Sequence, residues 1–118
     1  MKVLITCHTY YPNNDGVQFV TEYIAEGLAK KGNDVTVVTN LYSDVTNKLN
    51  ETYNGVKIIR VNLFTKHTIH HGNKKEYLNL IIKLAQKNDV MINVCTQCAT
   101  TDFLLKDLDK INIPKVLY

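Results

Sequence analysis

The stretch Lys2-Val3-Leu4-Ile5-Thr6-Cys7-His8-Thr9-Tyr10-Tyr11-Pro12-Asn13-Asn14-Asp15-Gly16-Val17 decides how the chain is read. Lys2 to Cys7 is a continuous run centred on Val-Leu-Ile, the pattern of a strand buried on both faces. His8 to Gly16 is dense in turn formers and reads as a loop. From Val17 the period becomes helical, with Val17, Val20, Ile24 and Leu28 on one stripe. Lys30 and Lys31 suit the negative end of that helix, and Gly32 is its natural stop. Val35, Val37 and Val38 then form a second buried strand, closing at Thr39-Asn40.

The same alternation continues outward. Leu41 to Gly55 is polar and reads as loop, with a short strand at Glu51–Tyr53; Val56 to Val61 is a third main strand. Thr65 to Asn73, holding His67, His70 and His71, reads as an exposed, solvated connection. Tyr77, Ile81 and Leu84 mark a helix within Lys74–Lys87, and Asp89 to Val94 a fourth strand. Leu104 and Leu108 place a third helix over Thr100–Leu108, and Lys115 to Tyr118 is the fifth strand. Strands alternating with helices in this way predict an α/β fold: a three-layer, Rossmann-like parallel sheet of order 3-2-1-4-5, one domain over residues 1–118.

Composition sets the class. The chain has 118 residues, 45% hydrophobic and 21% charged, which suits one globular domain with a core and excludes disorder. Fourteen Lys+Arg against 11 Asp+Glu leave a net charge of +3, spread too evenly for a nucleic-acid footprint, so no nucleic acid is expected as a partner. The first residues lack the roughly 7–15 apolar residues of a secretory leader. No segment approaches the roughly 18 apolar residues of a membrane span. With three cysteines, an odd number, the expectation is a cytoplasmic protein with free thiols.

In open α/β sheets a ligand sits beyond the carboxyl ends of the strands where the strand order reverses. That places His8 to Gly16 and Cys95-Thr96-Gln97-Cys98 around a site. The first loop lacks the three glycines of a dinucleotide cradle, and no Gly-Lys-Ser/Thr occurs. Two readings stay open: Gly16, Val17 and the amides that follow face an anion, or Asp15 caps the helix. Tyr10 and Tyr11 either stack on a ligand or pack beneath the loop. Cys95 and Cys98 have redox-pair spacing, and Cys7 and His8 could join them around a metal, but buried small thiols account for all of them. Thr96 and Gln97 are polar groups over the crevice.

The order of these segments resembles the N-terminal half of GT-B retaining glycosyltransferases, the glycosyl transferase group 4 family. The residues that carry the resemblance are Tyr11-Pro12, Asp15-Gly16-Val17, Leu28-Ala29-Lys30-Lys31-Gly32 and Asp34-Val35-Thr36-Val37-Val38-Thr39. Asn54-Gly55-Val56-Lys57-Ile58-Ile59-Arg60-Val61, Asn88-Asp89-Val90-Met91-Ile92 and Ile113-Pro114-Lys115-Val116-Leu117-Tyr118 extend it along the chain. The resemblance implies transfer of a sugar from a nucleotide-sugar to an acceptor hydroxyl in glycan or cell-envelope polysaccharide synthesis. It also implies that this acceptor-side domain is inactive without a C-terminal donor-binding domain. Partners would be a nucleotide-sugar donor, held through that missing domain, and a glycan or lipid-linked acceptor, with peripheral contact at the inner face of a membrane. Residues implied for acceptor or donor-diphosphate binding are His8, Thr9, Tyr10, Tyr11, Asp15, Gly16, Val17, Thr96 and Gln97; no cofactor and no metal is implied, and no catalytic residue is assigned. Asp15 stands where the family has the first of two glycines. The alternative is a non-catalytic α/β binding module or the acceptor-binding subunit of a split glycosyltransferase.

Overall fold

Buried β-branched runs become the centre of one sheet. A computed structural model describes all of residues 1–118. In chain order the elements are β1 (Lys2–Cys7), α1 (Gly16–Lys30), β2 (Asp34–Asn40), β3 (Asn50–Tyr53), β4 (Val56–Val61), β5 (Phe64–Lys66) and β6 (Ile69–His71). There follow α2 (Lys74–Ala85), β7 (Val90–Asn93), α3 (Ala99–Asp102), a 3₁₀ stretch over Leu105–Lys110, and β8 (Lys115–Leu117). The sheet is six-stranded in the order β3-β4-β2-β1-β7-β8, and β5-β6 form a separate hairpin. All neighbours in the large sheet are parallel except β3, which pairs antiparallel with β4. The molecule is therefore a mixed α/β domain with a mostly parallel sheet.

Strand alternation sends side chains to two cores. Val3, Ile5, Cys7, Val35, Val37, Val56 and Ile58 pack under α1 on one face. Leu4, Val38 and Met91 pack on the other against Tyr77, Ile81 and Ala85 of α2 and Leu104 beyond α3. Helix α1 starts at Asp15, an extended N-cap whose side chain accepts from Gln18 N. It ends at Gly32, whose φ of +92° is a left-handed conformation open to glycine at little steric penalty. No helix is long and apolar enough to cross a membrane.

Three expectations need correction here. The sheet is not all parallel, because β3 folds back as a hairpin partner of β4 and fills the β2-to-β4 connection where a helix would otherwise run. The segment Thr65–Asn73 is exposed over most of its length, as expected, but is largely a hairpin rather than a loop, with Thr65 and His70 half-buried. The helix expected over Thr100–Leu108 is split: α3 has four residues, and Asp107 at φ −123° interrupts the 3₁₀ stretch after it. The β-branched Thr100-Thr101 pair and Asp102 favour a helix poorly, while Leu104 is fully buried and holds the segment against the sheet by packing.

Candidate functional site

Successive strands run to one side of β1 (β2, then β4) and to the other (β7, then β8), so the order reverses between β1 and β7. Across that switch a buried hydrogen bond joins Thr6 Oγ1, as donor, to Asn93 Oδ1 at 2.8 Å. The loop after β1 is held by an arginine that sequence reading passed over. Arg60 of β4, its side chain 2% exposed, pairs with Glu51 Oε2 at 2.9 Å. Its two terminal nitrogens donate to Lys48 O at 3.0 Å and to Tyr11 O at 2.6 Å. Tyr11 lies flat on Tyr53 of β3, with ring centroids 3.6 Å apart, and Tyr10 is buried in the α1-side core. Both tyrosines are thus committed to packing rather than spread over a crevice.

Asp15 closes the front of α1. Its Oδ1 accepts from Thr9 Oγ1 at 2.8 Å and from Gln18 N at 2.8 Å. A built-in carboxylate stands where a bound phosphate would meet the first-turn amides, and it repels that charge. Gly16 has an ordinary φ and open space around a notional Cβ, and Val17 packs on the core, so neither is shaped for close approach by a diphosphate. The helix caps itself.

Beside this loop, His8 is held at both ring nitrogens: Nδ1 by Asn40 Nδ2 at 3.2 Å, Nε2 by the Tyr42 hydroxyl at 3.1 Å. Burial lowers the His8 pKa, with Asp15 opposing and His70 reinforcing the shift, so the ring is neutral at physiological pH. With Asn40 Nδ2 donating to Nδ1, Nε2 carries the proton and donates to Tyr42. Asn40 is 2% exposed, and its Oδ1 has no partner. Helix α3 lies against β1 and β2, and its Thr101 Oγ1 is likewise buried and unpartnered. Unsatisfied buried oxygens are few in folded proteins, and each carries a desolvation penalty of about 1–3 kcal/mol.

The turn after β7 brings in the cysteines and a second histidine. Cys95 and Gln97 both hold left-handed backbone, at φ 68° and 61°, so the chain doubles back on itself. Cys98 Sγ then lies 3.4 Å from Thr100 Oγ1. All three thiols are free. Burial pushes Cys7 up to about 12 and also raises Cys95, which keeps both protonated and unreactive, the opposite of a redox pair. No three His, Cys, Asp or Glu side chains gather to hold a metal. His70 bridges the hairpin to α3: Nδ1 meets Thr65 Oγ1 at 2.8 Å and Nε2 meets Asp102 Oδ2 at 2.8 Å. Asp102 Oδ1 accepts from Gln97 N at 3.1 Å.

No protein-family model matches the chain, and no curated protein matches it. Among solved structures it is similar to the C-terminal domain of a hydrogenase from Pyrococcus furiosus, with a TM-score of 0.57 and 15% identity over 98% of this chain and 89% of that one. At that identity the likeness is one of fold. The glycosyltransferase reading is corrected on this finding: the shared fold belongs to a hydrogenase-named protein, and no family match supports sugar transfer. The physical reason lies in the motifs themselves. A Val-rich buried strand, a helix ending in Gly and a turn before the next strand are demanded by any parallel α/β sheet.

Of the residues singled out from sequence, the structure brings His8, Thr9, Asp15 and Gly16 together at the end of β1. Tyr10, Tyr11 and Val17 turn into the packing on the α1 side. Thr96 and Gln97 are exposed across the switch, Gln97 taking part through its backbone. Sequence reading missed Asn40, Tyr42, Arg60, Thr65, Thr101 and Asp102. Asn40 carried the clearest signal, a polar residue closing a buried Val run at a strand's carboxyl end. His70 and Asp102, 32 positions apart, carried none. A hollow of about 580 Å³ lies elsewhere, among Lys2, Asp34, Thr36, Lys57 and Lys87 at the opposite end of the strands.

Proposed function

We propose that the domain seats a small hydrogen-bond-donating molecule at the carboxyl ends of β1 and β2, against His8, Asn40 and Thr101. The observation that carries this reading is that two of the five buried, unpartnered side-chain oxygens, Asn40 Oδ1 and Thr101 Oγ1, belong to elements packed at this part of the sheet; the others are Tyr10 OH, Gln18 Oε1 and Thr39 Oγ1. A ligand hydroxyl, amide or amine group answers an orphaned carbonyl oxygen; an anion does not. The carboxylates of Asp15 and Asp102 flank the same end of the sheet and favour a neutral or cationic molecule over a phosphate. We read the five parallel strands as a Rossmann-like sheet of order 3-2-1-4-5 layered between α1 and α2, a reading supported by their parallel registers. Such sheets present ligands at this switch point.

Titration of isotope-labelled protein with ribose, acetamide and ethylamine, and separately with inorganic phosphate, tests the proposal by NMR. At least one donor-bearing probe should shift the Asn40 side-chain amide and the Thr101 backbone amide, and Asn40→Leu should abolish the effect. Phosphate should leave both unmoved. Shifts confined to the Lys2–Asp34–Lys57 hollow, or none with any probe, would overturn the reading.

A further inference from the structure

The contacts around His70 have a definite proton order. Asp102 Oδ2, a carboxylate oxygen 2.8 Å from His70 Nε2, can only accept, so Nε2 carries the ring hydrogen; Thr65 Oγ1, which also accepts the Ala99 N–H at 3.2 Å, lies 2.8 Å from Nδ1. In the neutral ring Nδ1 is then the acceptor, and the Thr65 hydroxyl donates to it. The second Asp102 oxygen is fixed by Gln97 N–H, and Phe103 meets the imidazole edge-on at 5.7 Å. The His70 side chain is 18% exposed and that of Asp102 25%, so the group is part-buried yet open to small reagents. A hydroxyl bonded to a base that is itself oriented by a carboxylate is the arrangement by which a weak nucleophile is activated, wherever in the chain its members lie.

We propose that Thr65 is an activated hydroxyl that accepts an acyl group from an activated ester, with His70 as general base and Asp102 as its orienting carboxylate. Thr65 Oγ1 attacks the ester carbonyl carbon while its proton passes to His70 Nδ1. The bond from that carbon to the leaving oxygen breaks, and the leaving alcohol or phenol departs with the proton from His70. An acyl ester on Thr65 remains. Water attacks the same carbon, gives a proton to His70, and releases the acid as Thr65 recovers its hydrogen. Thr65 is a secondary hydroxyl, hindered as a nucleophile and as an ester, so turnover is slow and the acyl-enzyme is long-lived enough to observe.

The test uses the full chain with p-nitrophenyl acetate, read by intact mass and peptide mapping. One acetyl group should appear on Thr65 and none on Thr65→Val. His70→Ala should slow labelling at that position about 100-fold, within the range of general-base catalysis. Asp102→Asn should slow it less. Thr65→Ser, which keeps the hydrogen bonds and removes the methyl hindrance, should label faster than the native chain, whereas a merely structural strut would show no gain. Acetylation only at lysines or the N-terminus, or Thr65 labelling at an equal rate in His70→Ala and Asp102→Asn, would overturn the proposal. If His70→Ala fails to fold, the Thr65→Ser and Asp102→Asn rates decide alone. Probe binding at Asn40 should survive Thr65→Val, so the relay and the ligand site fail separately.

Discussion

The two ends of the sheet are built differently. At the amino ends of the strands lies a hollow of about 580 Å³, lined by Lys2, Asp34, Lys57 and other polar groups. Its pair Lys57–Asp34, at 3.6 Å, has side chains 64% and 49% exposed, while Glu51, which also lines it, reaches away to Arg60. A smaller hollow, about 290 Å³, lies past the carboxyl end of β4, among Val61, Leu63, Gly72 and Tyr77. At the carboxyl ends the loops are tied by Arg60 to Tyr11 O and Lys48 O, by Asp15, by His8–Asn40–Tyr42 and by His70–Asp102, and buried oxygens stand without partners. The hollow and the proposed ligand seat therefore lie at opposite ends of the strands. What separates the two is desolvation: polar groups in water are satisfied whatever shape surrounds them, whereas buried ones must find partners or carry a penalty.

That contrast can be broken most directly at Arg60. Arg60→Met strands the Glu51 carboxylate, 16% exposed, and two carbonyls, and should lower unfolding stability by about 3 kcal/mol in urea titrations. Adding Glu51→Gln should restore part of the loss; a loss under 1 kcal/mol would mean that the carboxyl end is no more tightly tied than the amino end. The alkaline limb should come next. Burial raises Cys7 from 9.0 to about 12, so the unfolded chain loses this proton first as pH rises. Stability is intact below pH 9 and should fall between 9 and 12, by up to about 1.4 kcal/mol per pH unit from this group. Cys7→Ala should flatten that slope in urea midpoints measured from pH 8 to 11.

Asp15→Ala removes the α1 cap and the acceptor for Thr9, and should cost about 1 kcal/mol by the same measurement. It also vacates the first-turn amide that the carboxylate now holds. Phosphate should then perturb Gln18 N–H in the variant and not in the native chain, which would sharpen the reading that Asp15 is what excludes anions. The smallest effect belongs to the open end. Lys57→Ala should change stability by less than about 0.5 kcal/mol, since exposed pairs contribute little. A larger loss would place structural weight where the contrast puts none.

Much of the framework was legible before any coordinates. β1, β2, β4 and β7 announced themselves as Val- and Ile-rich runs, and α1 by its stripe and Gly32, because burial on both faces leaves little freedom in residue choice. The third helix was misread, since Leu104 and Leu108 supplied a helical spacing while Thr100, Thr101 and Asp107 supplied the break. Local rules also offered Asp15 as a cap, one of two readings left open, and the Gln18 N–H to Asp15 contact decided for it. They gave no hint that Arg60 would reach Tyr11 or that His70 would reach Asp102.

The amino-acid sequence by itself determined the class of fold, an alternating α/β domain, and the loop after β1 as part of its carboxyl-end surface. It could do so because hydrophobic period and turn chemistry act over a few residues. Tertiary structure alone decided which polar groups met: Asn40 beneath His8, Arg60 beneath Tyr11, Thr65 and His70 against Asp102. Those pairings depend on strand register and on the approach of segments distant in the chain, and hydrogen-bond geometry has no counterpart in residue spacing.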